Sequence, residues 1–446
     1  MSVSESSGVP AEVSAVGAGM IIDAGMRHWY HSCPCCLSAA YPDVKRILDG
    51  EGRAEPGDGG DRPEHSGQVA EVSGADSALT TTTNGPMQLV QAGQSLWLDN
   101  LSRKLLATGA LNWYVREFGL SGLTSNPTIL AQAMTAGKDY DATLRILAGQ
   151  GVSDPQDLVY GAALEDLAAA ACLFHPAWEA TDGVDGYVSL EVPPELAYEA
   201  DDSVTWGMRL WQQAKLPNLL VKVPGTAPGL TAVEELVAAG VGVNVTLLFS
   251  ETHYLQAAEA YMRALERRLE EHSSLSIPSV ASLFVSRWDA AANPLLPVEM
   301  HNRLGIAVAQ KAYSAYRALL ASDRWRALAA AGARPQRLLW SSTSAKDPEL
   351  PDSYYVTSLA APDTIDTMPE ATLLSFGKHG TVGAVLQPDH ASAEQVIATL
   401  AAHGLDVEAL GESLQSHGAR RFSADWAALL DAVQSKTRRL TALAPR

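Results

Sequence analysis

A single lysine lies inside an apolar segment that has the composition of a buried strand. Lys222 is flanked by leucine, valine and proline within residues 218–226. An ammonium group taken out of water is costly unless it has a partner or loses its proton, and a neutral amine is a nucleophile towards carbonyl carbon. The other interpretation is a lysine whose head group reaches solvent or a structural carboxylate. The segment alone leaves both interpretations open.

The elements that would position this lysine alternate regularly from Gln94 onward. Short apolar strands are followed by amphipathic helical segments, which is the pattern of a parallel sheet covered by helices. Eight strands are predicted, at residues 95–99, 122–126, 187–192, 219–224, 241–249, 280–285, 338–342 and 354–358. Eight such units predict an α/β fold of the (β/α)8 TIM-barrel class, in which catalytic groups lie at the carboxyl ends of the strands.

The spacing of apolar residues also predicts the helices around this barrel. Long helices are expected at residues 162–174, 251–272 and 298–320, and Ser250 is a candidate N-cap for the second of them. After the last strand, extra C-terminal helices are predicted at residues 369–379, 391–403, 406–416 and 423–443.

Polar residues end nearly all of the predicted strands. Each of them alone is accounted for by capping or by loop hydrogen bonds. Because the strand ends of a barrel meet at one face, together they predict a shared site around the lysine. The residues are Asp99, Asn126, Glu191, Lys222, Asn244, Thr246, Ser282 and Ser342.

The charge of the chain restricts its partners. The formal net charge of −19 argues against nucleic acid and against an anionic membrane surface, since neither offers counter-charge to an acidic protein. No apolar run approaches the length needed to cross a bilayer. Any phosphorylated ligand would therefore need a local basic pocket.

The N-terminal region, residues 1–86, differs in composition from the barrel domain predicted at 87–446. It is rich in glycine, serine and acidic residues, and residues 49–86 are nearly free of large apolar side chains, which predicts a mostly disordered region with an amphipathic segment possible at 24–48. It is too acidic for a transit peptide, and its apolar run is too short for a signal peptide, so we expect a cytoplasmic protein. An over-extended start, with the functional chain beginning at Met87, is the alternative.

Three cysteines lie close together in this region. Cys33, Cys35 and Cys36 follow two histidines and could bind zinc or copper. Their spacing lacks the second, distant ligand pair of a structural zinc site. We therefore predict no metal site, although the sequence leaves metal binding by these thiols open.

Six sequence motifs contain the polar strand ends. They are Ser-Leu-Trp-Leu-Asp at 95–99, Leu-Thr-Ser-Asn-Pro-Thr at 123–128, Val-Ser-Leu-Glu-Val at 188–192, Val-Lys-Val-Pro at 221–224, Val-Asn-Val-Thr-Leu-Leu-Phe-Ser at 243–250 and Ser-Val-Ala-Ser-Leu-Phe-Val-Ser-Arg at 279–287. These motifs resemble those of transaldolases, in particular the branch found in actinobacteria and cyanobacteria. The likeness extends over residues 94–440 and does not include residues 1–86.

This resemblance implies a transferase of the non-oxidative pentose phosphate pathway that needs no metal or organic cofactor. Lys222 would form a Schiff base with C2 of a ketose phosphate, fructose 6-phosphate or sedoheptulose 7-phosphate. The dihydroxyacetone unit would pass to an aldose phosphate, erythrose 4-phosphate or glyceraldehyde 3-phosphate. Asp99 would be the acid/base at the C4 hydroxyl, while Glu191 would transfer protons through a water held by Thr246.

The resemblance also implies the residues that bind the sugar phosphate. Many transaldolases carry an arginine where this chain has Lys346, which is a point charge without the guanidinium fork. The implied ligands are Asn126, Asn244 and Ser282 for the dihydroxyacetone hydroxyls, with Arg287, Ser342 and Lys346 for the phosphate.

Two other functions remain open from the sequence. One is a Schiff-base aldolase or a related enzyme of specialised metabolism. The other is a non-catalytic barrel that binds sugar phosphates, with the cysteine-bearing region as the functional part. The oligomeric state is also open, including a homo-oligomer.

Overall fold

The computed structural model describes residues 84–442. The extension predicted to be mostly disordered, residues 1–86, lies outside the described residues as far as residue 83, and so do the cysteines Cys33, Cys35 and Cys36. The first described helix spans Gly85–Gln91, and the division of the chain between residues 86 and 87 stays a prediction.

The eight strands form a closed, all-parallel barrel in sequential order, in which the first strand pairs with both the second and the eighth. This confirms the predicted (β/α)8 TIM barrel. The strands are β1 Ser95–Asp99, β2 Leu120–Thr124, β3 Val188–Glu191, β4 Leu219–Pro224, β5 Val243–Leu248, β6 Ser279–Phe284, β7 Gln336–Ser341 and β8 Ile365–Met368.

Helices connect the strands and cover the outside of the barrel. Short 3-10 helices lie at Pro194–Tyr198, Asn293–Leu295 and Val298–Met300. The α-helices are α1 Gly85–Gln91, α2 Arg103–Ala107, α3 Ala110–Phe118, α4 Pro127–Thr135, α5 Asp141–Gly149, α6 Pro155–Ala180, α7 Ala200–Ala214, α8 Ala227–Ala238, α9 Glu251–Glu270, α10 Ser286–Ala292, α11 Leu304–Leu320, α12 Asp323–Ala330, α13 Tyr354–Ser358, α14 Glu370–His379, α15 His390–Ala402 and α16 Val407–Ala442.

The prediction of the eighth strand was wrong. Residues 354–358 form α13, and the strand that closes the barrel is Ile365–Met368. Tyrosine, valine and threonine favour strands, but here one helical turn buries Tyr355 and Val356. The Tyr355 hydroxyl donates a hydrogen bond to Oδ2 of Asp289, 2.8 Å away. Tertiary packing therefore overrides the local preference at this position.

The C-terminal helices also differ from the prediction in one respect. The two helices expected at 406–416 and 423–443 form one continuous helix, α16. The predicted break fell near Gly418, but this glycine packs closely against β5, since a Cβ atom there would lie 2.9 Å from Cδ2 of Leu247.

Two predictions for the earlier helices have different outcomes. The helix predicted at 298–320 begins later, at Leu304. The predicted Ser250 cap is confirmed, because its side chain accepts a hydrogen bond from the His253 amide.

An apolar cluster fills the lower part of the barrel, directly beneath the polar strand ends. Because alternate residues of a strand share a face, the side chain two positions further along projects above this cluster. Leu220 is thus followed by Lys222, and Val280 by Ser282. The cluster consists of Trp97, Tyr187, Leu220, Val280, Leu339 and Ile365.

Helix α6, which covers the outside of the barrel, is long enough and apolar enough to span a membrane. In the structure 89% of its apolar window is buried, and it packs against α3, α5 and β3. Within the described residues it is therefore a core helix of the barrel wall.

Candidate active site

The register of three neighbouring strands places Glu191, Lys222 and Asn244 side by side. Glu191 on β3 is the Cα partner of Lys222 on β4, which is in turn the partner of Asn244 on β5. Residues in register on parallel strands point to the same side of the sheet. The three side chains therefore form one polar row inside the barrel mouth.

Lys222 is almost completely buried, with 5% of its surface exposed. Its Nζ atom lies 3.2 Å from Oε2 of Glu191 and donates a hydrogen bond of 3.1 Å to the carbonyl oxygen of Ser125. The amine is thus directed into the mouth between β2 and β3 and has both an anionic and a neutral acceptor. A buried charge requires such partners.

Asp99 at the end of β1 is held by two neighbours. Its Oδ1 atom accepts a hydrogen bond of 2.9 Å from the Thr124 hydroxyl and one of 3.5 Å from the Asn126 amide. Burial raises the pKa of the Asp99 carboxyl, and the charge of Lys222 opposes that rise. A carboxyl group with a raised pKa is closer to the operating range of a general acid/base near neutral pH.

Glu191 and Thr246 retain polar atoms without hydrogen-bond partners among residues 84–442. Oε1 of Glu191 and the hydroxyl of Thr246 are buried without a partner, whereas Oε2 of Glu191 faces the amine of Lys222. Burial raises the pKa of the Glu191 carboxyl, while the charge of Lys222 acts against it. Buried polar atoms normally have partners, so these atoms are available to a water or to a substrate hydroxyl.

A chain of buried hydrogen bonds fixes the floor of the site. The Ser282 hydroxyl donates to Oδ1 of Asn244 at 2.7 Å, and Nδ2 of Asn244 donates to Oγ of Ser189 at 3.0 Å. Asn244, Ser282 and Ser189 are each completely buried. This network determines the orientation of the Asn244 amide beside Lys222.

Asn126 combines a structural contact with a contact in the site. Asn126 was predicted to end β2, but this strand ends at Thr124. Asn126 is instead the N-cap of α4, where its Oδ1 atom accepts a hydrogen bond of 3.0 Å from the Ile129 amide. Its NH2 group points at Asp99 instead. The capping alternative considered from sequence is therefore realised, and the same side chain still faces the site.

These residues border one open cavity of about 1070 Å³, which lies at the carboxyl ends of the strands. Its volume suits a small phosphorylated sugar with surrounding water. Of the predicted site residues, the cavity is lined by Asp99, Asn126, Lys222, Arg287, Ser342 and Lys346.

The far end of the cavity is cationic. Arg287, at the start of α10, lies with its guanidinium carbon 4.8 Å from the ring centre of Phe284 and 5.7 Å from that of Phe422. Burial, and next the charge of Arg421, lowers the pKa of Arg287. Burial, and next the charge of Arg287, lowers the pKa of Lys346. These groups repel one another, so an anion bound between them would be stabilised.

The loop after β7 carries the remaining predicted ligands. Ser342 has φ 58°, a conformation uncommon for residues other than glycine, and its Oγ lies 3.0 Å from Oγ of Ser286. The next residue, Thr343, donates a hydrogen bond of 2.9 Å to buried Asp366 on β8. Both contacts hold the loop that presents Lys346 to the cavity.

Comparison with known proteins adds to this geometry. The family model described as "Transaldolase/Fructose-6-phosphate aldolase" matches residues 96–433. The chain belongs to the transaldolase family. Curated relatives named transaldolase include those of Parafrankia sp. (strain EAN1pec), 42% identical, Thermobifida fusca, 42% identical, and Mycolicibacterium smegmatis, 40% identical. Each alignment covers 78% of this chain and 96% of the relative.

In this member of the transaldolase family, the ten predicted site residues lie at two depths in the barrel mouth. Six of them line the cavity as given above, and the other four lie deeper at the mouth, buried beside or beneath Lys222. The deeper residues are Glu191, Asn244, Thr246 and Ser282. In the described part of the chain, no group of three or more His, Cys, Asp or Glu side chains is arranged to hold a metal ion.

Three contributors to the site were not found from sequence. Thr124 bonds to Asp99, and Ser125 offers its carbonyl oxygen to the lysine amine. Both lie within a motif that had been noted, so their position beside Asn126 was the available signal. Arg421 lines the same cavity from α16. It follows no strand and belongs to none of the motifs, so no spacing pointed to it.

Proposed function

We propose that the protein transfers a dihydroxyacetone unit from a ketose phosphate to an aldose phosphate through a Schiff base on Lys222. The observation that carries the proposal is the buried amine of Lys222, 3.2 Å from Glu191, in a cavity shared with Asp99 and a cationic end. Membership of the transaldolase family supports the reaction class. Donors would be fructose 6-phosphate or sedoheptulose 7-phosphate.

In the first half-reaction, the neutral amine of Lys222 adds to the C2 carbonyl of the donor. The carbinolamine then loses water and becomes an iminium ion. Asp99 removes the proton of the C4 hydroxyl, and the C3–C4 bond breaks with its electron pair moving into the iminium. The aldose phosphate leaves as an aldehyde, and a dihydroxyacetone enamine remains on the enzyme.

In the second half-reaction, C3 of the enamine attacks the aldehyde carbon of the acceptor, erythrose 4-phosphate or glyceraldehyde 3-phosphate. Asp99 returns its proton to the alkoxide that forms, and water hydrolyses the iminium to free Lys222. Glu191 moves protons to and from the carbinolamine through a water held by Thr246. The raised pKa values of Asp99 and Glu191 support these acid/base roles.

The other assigned residues would bind and orient the substrate. Asn126, Asn244 and Ser282 are proposed to hold the hydroxyls of the three-carbon unit, so that the enamine stays in place until the acceptor arrives. The phosphate would lie at the cationic end of the cavity. A guanidinium at Arg287 suits this anion because it can donate two parallel hydrogen bonds.

The test is chemical trapping. The full-length protein is incubated with fructose 6-phosphate, reduced with borohydride, digested and mapped by mass spectrometry. We expect one reduced adduct, on Lys222, which locks the imine as a secondary amine. Attachment to another residue, or no adduct, would refute the Schiff-base mechanism and favour a barrel that only binds sugar phosphates.

A second measurement separates transfer from aldol cleavage, because the matched family model covers both activities. Release of free dihydroxyacetone from fructose 6-phosphate is measured with and without erythrose 4-phosphate. A transferase forms sedoheptulose 7-phosphate with the acceptor and releases little dihydroxyacetone. Equal release in both reactions would mean that the protein is an aldolase.

A cytoplasmic location and the absence of nucleic-acid or membrane partners remain predictions from the sequence. The same holds for the division into residues 1–86 and 87–446. Deleting residues 1–83, which leaves α1 and its cap Asn84 intact, is expected to leave the transfer rate unchanged, and a loss of activity in that protein would contradict the expectation that the N-terminal region is dispensable.

A further inference from the structure

The last helix, α16, forms one wall of the cavity. Its lining residues recur at the spacing of one helical face, which turns towards the barrel mouth. They are Leu414, His417, Gly418, Arg421 and Phe422. An element at the end of the chain thus completes a site whose other side chains come from the strand ends and the loops that follow them.

Two contacts fix this face relative to the strands. Nε2 of Gln415 donates hydrogen bonds to the carbonyl oxygens of Gly225, at 3.0 Å, and Leu247, at 3.1 Å. These oxygens lie at the ends of β4 and β5. Gly418 brings the helix backbone close to Arg287, since a Cβ atom at this position would lie 3.4 Å from its Nη1 atom. The helix is therefore held against the cationic end of the cavity.

Arg421 carries a positive charge into the same space. It lowers the pKa of Arg287 and contributes to the lowered pKa of Lys346, so its charge acts on both groups. Its carboxylate contact within residues 84–442 is Asp425, at 4.0 Å, the limit of an ion pair. Asp425 also accepts a hydrogen bond from Thr128, and its charge acts on Arg287 as well, so it is not a dedicated partner of Arg421.

Arg287, Lys346 and Arg421 therefore converge on the cationic end of the cavity, in a protein with a formal charge of −19. Lys346 donates a hydrogen bond to Ser344 at 2.5 Å, and Arg287 is packed against aromatic rings. Neither contact supplies negative charge. Mutual repulsion of the three groups is relieved when an anion lies between them, and a guanidinium is well suited to a phosphate group.

We propose that Arg421 is a third ligand of the substrate phosphate, together with Arg287 and Lys346, and that α16 is part of the binding site. This inference rests on the proposed function. It assigns the C-terminal helix a direct role in recognising phosphorylated substrates and adds one guanidinium to the two cations expected from the motifs.

The test compares Arg421→Gln with Arg420→Gln in the full-length protein. Arg420 is the matched control because it is adjacent on the same helix, is exposed, bonds to Ser416 and does not line the cavity. The dissociation constant of inorganic phosphate is measured by titration calorimetry. We expect Arg421→Gln to raise this dissociation constant about tenfold, because one charge-assisted hydrogen bond is lost. Arg420→Gln should leave the dissociation constant at the parent value.

Kinetics then separate phosphate recognition from a structural effect. The preference for fructose 6-phosphate over fructose, as a ratio of kcat/KM values, should fall about tenfold in Arg421→Gln. Arg421→Lys, which keeps the charge, should recover part of this preference. Equal losses on both sugars, or phosphate affinity equal to that of the Arg420→Gln control, would overturn the inference.

The outcome for this inference is separable from that for the proposed function. If the parent protein forms no borohydride adduct with fructose 6-phosphate, the Schiff-base proposal fails. The phosphate titration requires no turnover and still decides whether Arg421 binds the anion.

Discussion

The Nζ atom of Lys222 lies 3.2 Å from Oε2 of Glu191 and 3.1 Å from the carbonyl oxygen of Ser125. Both acceptors attract the protonated amine, but the nucleophile has to be neutral. Burial raises the pKa of Glu191, which makes this carboxylate a better proton acceptor than an exposed one. The pair is thus arranged so that the proton can move from the amine to its neighbour before the attack.

Replacing Glu191 with glutamine should slow imine formation, because the amide cannot accept the proton of Lys222. Loss of a general base costs about 10²- to 10⁴-fold in rate, so we expect the rate of borohydride-trapped adduct to fall within that range. Glu195→Gln, an exposed position on the following turn, is the control. Equal trapping rates in the two variants would contradict the assigned role.

Lys222→Arg should abolish turnover and trapping while the fold is retained. The guanidinium keeps the charge next to Glu191 but cannot provide a neutral amine at neutral pH. Circular dichroism and thermal unfolding check the fold, and mass spectrometry checks the adduct. Lys378→Arg, on the exposed face of α14, should behave as the parent. Normal activity in Lys222→Arg would disprove the assignment of the nucleophile.

Two substitutions at Asn126 separate its capping contact from its contact in the site. Asn126→Ala removes the cap of α4 and should lower the free energy of unfolding by about 1 kcal/mol. Asn126→Asp keeps a capping oxygen but places a second negative charge beside Asp99, so stability should be nearly retained while kcat falls. Urea unfolding and steady-state kinetics measure the two effects. If both variants lost the same unfolding free energy, the capping oxygen of Asn126 would not be the source of its stabilising effect.

Asp366 should give the protein a distinct pH dependence of stability. Burial raises its pKa to about 7, well above the usual 3.8. Between these values the folded protein binds a proton that the unfolded chain releases. As the pH rises from about 3.8 to about 7, the contribution of Asp366 to the free energy of unfolding therefore falls by about 1.4 kcal/mol per pH unit, and above pH 7 it no longer changes.

Asp366→Asn should remove this contribution, and the fully exposed Asp323→Asn should keep it. Urea unfolding at pH 5, 6 and 7 measures the slopes. Parallel curves for the parent and Asp366→Asn would show that this carboxyl does not titrate as expected. Because Asp366 also accepts the hydrogen bond of Thr343, the same variant also tests whether this bond stabilises the loop that carries Lys346.

The strand ends could be predicted because their signal is local. A polar residue that follows a short apolar run identifies both the strand and the position of its end, as for Lys222 on β4 and Glu191 on β3. The barrel then brings these ends to one face whatever the details of the loops. Asn126 was assigned to the strand because a cap and a strand end are equally polar at this position.

Features that depend on distant partners could not be predicted in this way. Residues 354–358 have strand-forming side chains, but the acceptor of Tyr355 is Asp289, far away in sequence. The gap between the helices predicted at 406–416 and 423–443 contains Gly418, and glycine commonly terminates helices. The actual role of Gly418 is to let α16 approach Leu247 and Arg287, and only the folded chain contains that contact.

The position of α16 has a consequence for the newly made chain. The ribosome synthesises the barrel from β1 to β8 before any residue of this helix leaves the exit tunnel. Lys222 and its neighbours can then be assembled while one wall of the cavity is still missing. Substrate phosphate would meet the cation on α16 only after this helix emerges, so the affinity for phosphate is expected to reach its full value later than the barrel itself is completed.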